Sequence, residues 1–189
     1  MVAKILVTEQ DGTPPQISFA DHATDFSPTA ANSLEVGTPT DCQLDLTSVA
    51  DGAARQSAKV DLGANRARYY AVRSVIEYAS GVAAGDVTEF YWAPSGSATA
   101  GTGNPGNVSG SDAAYTGYSS NLADSLFHLQ LIGSVRATAQ VTTTVQVAEV
   151  GVFSPTERYG SLIVVAGDGF VADAVEQHVV FDPIIEESQ

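Results

Sequence analysis

From Tyr69 to Tyr78 the residue types repeat at every second position. Tyr70, Val72, Ser74, Ile76 and Tyr78 fall on one side, and Tyr69, Ala71, Arg73, Val75 and Glu77 on the other. That period belongs to an extended strand with one face on a core. Shorter runs of the same kind recur at Leu44/Leu46, at Val60/Leu62 around Asp61, and in Val87-Thr-Glu-Phe-Tyr-Trp92. Phe127, Leu129 and Leu131 alternate with His128 and Gln130, which predicts a strand with His128 on its polar face. Val145/Val147 and Val150/Val152 are out of phase, and Glu149 between them marks a bulge. Leu162-Ile-Val-Val165 is continuously apolar, as in a strand buried on both faces. His178-Val-Val-Phe181 is a further strand, and Asp182-Pro183 disfavours its continuation.

Turn chemistry separates these runs at Asp11-Gly12, Asp51-Gly52, Gly85-Asp86 and Gly167-Asp168-Gly169. The spacing predicts roughly nine or ten strands of ordinary length. One short helix is expected at 120–126, where Asn or Ser caps a segment with apolar positions four apart, Leu122 and Leu126. No long amphipathic helix is present to connect parallel strands. The expected fold is therefore all-β, an antiparallel β-sandwich of jelly-roll type forming a single domain over 1–189.

Two stretches break the rhythm. Residues from about 11 to 31 are rich in Pro, Thr and Asp and read as irregular. Residues 94–118 hold six glycines and four serines, one apolar β-branched residue (Val108) and one formal charge (Asp112). Such a segment reads as a long flexible loop, the kind that carries function. Pro94, Asn104, Tyr115 and Tyr118 are its candidate partner-binding residues, although the two tyrosines serve equally well to pin the loop to the body.

The charge balance restricts partners. Eight Lys+Arg stand against 22 Asp+Glu, a formal net charge of −14. Nucleic-acid binding requires clustered cations, and so does docking on an anionic membrane, so neither partner is expected. Cys42 is the one cysteine, which rules out an internal disulfide and thiolate-rich zinc sites. The apolar stretch near the N-terminus is too short for a signal peptide, and the expectation is folding in a cytoplasm.

Catalytic patterns are weak. No Gly-x-Ser-x-Gly elbow occurs, and Gly106-Asn-Val-Ser-Gly110 has its serine out of place. Gly101-Thr-Gly103 lacks the strand-turn-helix context and the lysine of a phosphate loop. His22, His128 and His178 lie in different contexts with no metal-ligand spacing between them. Asp21/Asp25 and Asp168/Asp173 offer isolated carboxylates without a calcium-loop pattern. Glu89 beside Phe90, Tyr91 and Trp92 suits a glycosidase acid or a sugar platform, but reads first as an outward carboxylate alternating with core Phe90 and Trp92 on a strand. Neither a cofactor nor a metal is expected, and the chain reads as a non-enzymatic binding or structural module.

The segments Val87-Thr-Glu-Phe-Tyr-Trp-Ala-Pro-Ser95, 97–106 and Ser109-Gly-Ser-Asp-Ala-Ala-Tyr115 follow one another in an order that resembles virion proteins of tailed bacteriophages. Leu129-Gln-Leu-Ile-Gly-Ser134, Tyr159-Gly-Ser161 and Pro183-Ile-Ile-Glu-Glu187 are similar to the same group, so the resemblance covers roughly 87–187. It implies a non-enzymatic particle component located in the virion. The expected role is capsid decoration (cement), binding the major capsid protein or other virion proteins as a homo-oligomer. The contacts would come from the N-terminal segment, the 94–118 loop and the C-terminal tail. A neck, collar or tail component of the same particle is the alternative. From a different class, a carbohydrate-binding module would use Tyr91 or Trp92 as a flat exposed platform.

Overall fold

The computed structural model describes residues 5–6, 14–79, 82–138, 145–172, 175–184 and 187–188. The Asp11-Gly12 turn and Asp173 lie outside the described residues. The elements are β1 (Ile5–Leu6), β2 (Ile17–Ala20), β3 (Thr40–Gln43), β4 (Ala54–Gln56), β5 (Val60–Asp61), β6 (Tyr69–Glu77), β7 (Val87–Ser95) and β8 (Ala113–Tyr115). They continue with α1 (Leu122–Leu126), β9 (Gln130–Arg136), β10 (Val145–Phe153), β11 (Tyr159–Val165), β12 (His178–Ile184) and β13 (Glu187–Ser188).

Two sheets pack face to face as an all-β sandwich. The first runs β10-β6-β12-β2-β3, and the second runs β8-β4-β11-β7-β9, with β5 also pairing β11. β1 pairs antiparallel with β13, which brings the two terminal segments together. The alternation of β6 holds except at Val75: Tyr70, Val72, Ser74 and Ile76 are buried and Tyr69, Ala71, Arg73 and Glu77 are half-buried, but Val75, expected on the outer side, is fully buried. The phase change in β10 is a register shift between Glu149 and Gly151.

The core is aromatic where the sheets meet. Phe181 of β12 lies 4.7 Å from Phe19, 5.0 Å from Phe153 and 5.7 Å from Trp92, between ring centroids. Trp92 comes from the second sheet and the other three rings from the first, so this cluster joins the layers. Each such ring withdraws about 1.5–3 kcal/mol worth of apolar surface from water. Gly160 of β11 is fixed by the same cluster, because a Cβ built there would fall inside the Trp92 indole.

Several expectations change. Residues 17–20, within the stretch read as irregular, form β2, which is buried at all four positions between β12 and β3. β2 and β3 are parallel, so the sheet is not purely antiparallel. The 21–39 crossover between them is long enough to reverse direction without a helix. The strand expected at 127–131 begins only at Gln130. Asn121 caps α1 by accepting the Asp124 N–H at 3.2 Å, and Phe127 and His128 belong to the turn that ends that helix. Thirteen strands occur among the described residues, more than expected, because two- and three-residue pieces such as β1, β4 and β8 are too short to show a period.

Candidate functional site

The 94–118 segment, read as a long loop, is irregular over 96–112 but is held to the body by many contacts. Its first residues extend β7, with Pro94 half-buried opposite Gly160, and 113–115 form β8 against β4. The polar residues between them bond inward. Lys59 Nζ donates to Ser95 Oγ at 2.9 Å and to the carbonyls of Ser97, Thr99 and Thr102 at 3.0, 2.7 and 2.8 Å. Desolvation holds this lysine below the usual range. Asn104 donates to the carbonyls of Ala100 and Val108 at 2.6 and 2.8 Å. Gly110 has φ +71° and packs where a Cβ would strike the Ala100 carbonyl, so glycine is required there. Glycine here permits tight folding rather than slack.

This ordered segment and α1 cover the outer face of the second sheet. Val108 and Tyr115 bury themselves with Ala54, Ala93 and Ile163 in a second, smaller core. That accounts for the Leu162–Val165 run: Leu162 and Val164 face the sandwich, and Ile163 faces the cap. Tyr115 is 2% exposed and donates to the Gly106 carbonyl at 2.6 Å, so it pins the cap and has no surface to offer a partner. Asn104 is likewise engaged within the cap. Of the four candidates only Tyr118 is strongly exposed, at 51%, with its ring edge-to-face with His128 at 5.9 Å.

Beyond Tyr118 the small core opens into an apolar groove of about 410 Å³ lined by Tyr91, Ala123, Leu126, Phe127, Leu129 and Leu131. Phe127 is 88% exposed and Leu131 55%. Tyr91 forms the inner wall, its hydroxyl donating to Glu89 Oε2 at 3.0 Å. Burial and that bond push the tyrosine up to about 12. Sequence alternation placed Phe127 and Leu131 on an inward strand face. α1 ends instead in a turn that turns Phe127 outward.

The remaining sequence candidates separate. Trp92 is fully buried, so it offers no sugar platform. Glu89 is half-buried and serves Tyr91. His128 is exposed near the groove, whereas His22 and His178 lie elsewhere, both against Phe26. Asp21 accepts from the Gln43 amide. Cys42 is buried, and its thiol is pushed up to about 12 by desolvation, which leaves it a poor nucleophile. No family model and no curated protein matches the chain.

Proposed function

We propose that this chain is a non-enzymatic structural protein of a tailed-phage particle: a capsid-decoration protein that docks as a homo-oligomer on the shell. The order of the segments over 87–187 supports the class. The observation that carries the docking surface is the pair of bare side chains, Phe127 and Leu131, beside a groove of about 410 Å³. Contiguous exposed apolar surface on an acidic, sparsely basic chain marks a place where another protein sits. The ordered cap beneath it is preorganised, so docking freezes few additional degrees of freedom.

The test uses capsids stripped of this protein. The double variant Phe127→Asp, Leu131→Asp changes exposed side chains only and should keep the circular dichroism of the parent. Its occupancy on capsids should fall roughly tenfold or more, the scale set by central apolar anchors. Unchanged occupancy would sink the docking assignment. Mass spectrometry of purified virions tests the class, since a chain absent from the particle is not a virion protein. Shell-wide copy number fits decoration, whereas a single ring of copies places the chain at the neck or tail.

A further inference from the structure

The 21–39 crossover carries a second site, far from the groove in sequence and chemically unlike it. One ligand atom from each of His22, Glu35 and Asp41 lies within 4.8 Å of the other two. His22 follows β2, Asp41 lies in β3, and Glu35 is on the crossover that joins them. The parallel pairing of β2 with β3 brings the three together.

The Glu35 backbone is held on both sides. Gln16 donates to the Leu34 carbonyl at 3.0 Å and accepts the Val36 N–H at 2.9 Å. Ser33 Oγ accepts the Glu35 N–H at 3.3 Å. Buried His178 accepts the Leu34 N–H on Nε2 at 3.0 Å, while its Nδ1–H donates to the Glu176 carbonyl at 2.8 Å. A backbone N–H only donates, so His178 is a neutral imidazole that positions this loop. The clamp holds Glu35 Oε1 buried and without a hydrogen-bond partner. A buried carboxylate oxygen in that state is costly.

His22 Nε2–H donates to the Ser18 carbonyl at 3.1 Å, and its Nδ1 lies 3.9 Å from Asp41 Oδ1. That gap is too long for a hydrogen bond. An imidazole nitrogen and two carboxylates therefore converge. Back-bonding of the distal imidazole N–H to a carbonyl is the usual support of a metal-ligating histidine. Donors around a tetrahedral ion with bonds of roughly 2.0–2.2 Å sit about 3.3 Å apart. The ligand atoms, within 4.8 Å of one another, must draw closer around an ion, and Asp41, whose side chain is 63% exposed, has room to swing.

We infer that His22 Nδ1, Glu35 and Asp41 form a binding site for a divalent first-row transition ion such as zinc, which ties the crossover to the edge of the first sheet. One imidazole with two carboxylates favours zinc over magnesium or calcium, which take oxygen ligands alone. The site does not depend on the docking reading, since its test uses the isolated protein.

Chelator-treated, tag-free protein is titrated with Zn²⁺ in a calorimeter, with Mg²⁺ as control. One equivalent of zinc should bind, and the thermal midpoint should rise with free zinc. Glu35→Gln and Asp41→Asn should each weaken binding about tenfold or more, while His128→Gln should bind as the parent. Asp41 is exposed, so its variant remains informative if Glu35→Gln fails to fold. Absence of uptake by the folded parent, affinity equal to the parent's in both carboxylate variants, or loss on His128→Gln would overturn the assignment.

Discussion

The Arg55 guanidinium meets Asp112 at two points, Nε to Oδ1 at 2.8 Å and Nη2 to Oδ2 at 2.9 Å. Asp112 is the single formal charge of the 94–118 segment, and Arg55 lies on β4 beneath it. At the other end of the same segment, Lys59 gathers three backbone carbonyls and a hydroxyl. Two of the eight basic residues of the chain thus fasten one cap. Asp112→Ala should lower stability by about 1–3 kcal/mol, because the pair is bidentate and partly buried. Lys59→Met should speed amide exchange over 96–103, and Lys59→Arg should not restore it, since a planar fork cannot replace a compact ammonium among four acceptors. Exchange rates matching the parent in all three variants would show that the cap is held by its apolar contacts alone. The cap also covers Ile163, so removing residues 95–112 should destabilise the domain rather than leave it intact.

Gly160→Ala tests the junction of the layers. The added methyl enters the space of the Trp92 indole, which is itself wedged against Phe153 and Phe181. Overpacking of this kind costs about 1–3 kcal/mol, and the thermal midpoint should drop by roughly 2–4 °C for each of them. The fluorescence of Trp92, the sole tryptophan, reports whether the ring moves. A midpoint equal to the parent's would mean that the ring has room to shift.

Cys42 sets an alkaline limit. Its folded value of about 12 lies above the ordinary value of 9.0, chiefly through desolvation. The stability it contributes is complete below pH 9 and is lost as pH rises toward 12, because only the unfolded chain releases the proton readily. Tyr91, raised to about 12, adds to the same trend. At pH 8 the native thiol should resist alkylation and should react once the chain is unfolded in urea. Rapid labelling of the native protein at pH 8 would contradict this burial.

Docking through the Phe127 groove should tolerate salt. The groove is lined by apolar and aromatic side chains, and apolar burial is barely screened. Occupancy on capsids at 0.5 M NaCl should stay within about twofold of that at 0.1 M. Ready release on salt addition would assign binding to the acidic surface instead.

The long alternating runs were readable because periodicity survives without tertiary context. Tyr69–Glu77 became β6, Glu149 marked the bulge of β10, and Asn121 capped α1. The continuous apolar run at 162–165 already required cover on both faces. It did not say that the cover was the glycine-rich segment. Val108 and Asp112 stood out as the lone apolar β-branched residue and the lone charge of that segment, and these prove to be its plug and its tether.

The reading failed where the decisive partner is distant in sequence. Composition made 94–118 look flexible, because glycine and serine carry no signal for the carbonyl cage that Lys59 closes from outside the segment. Phe127 fits a strand pattern, because alternation does not register that a five-residue helix has just ended. His22, Glu35 and Asp41 have no ligand spacing, since a parallel pairing of β2 with β3 assembles them. Acidity, the lack of an internal disulfide and the dominance of strands are legible from residue types alone, because those properties are local. Only the tertiary structure decided which apolar side chains stay bare and which carboxylates converge, because both depend on contacts between segments that the chain order keeps apart.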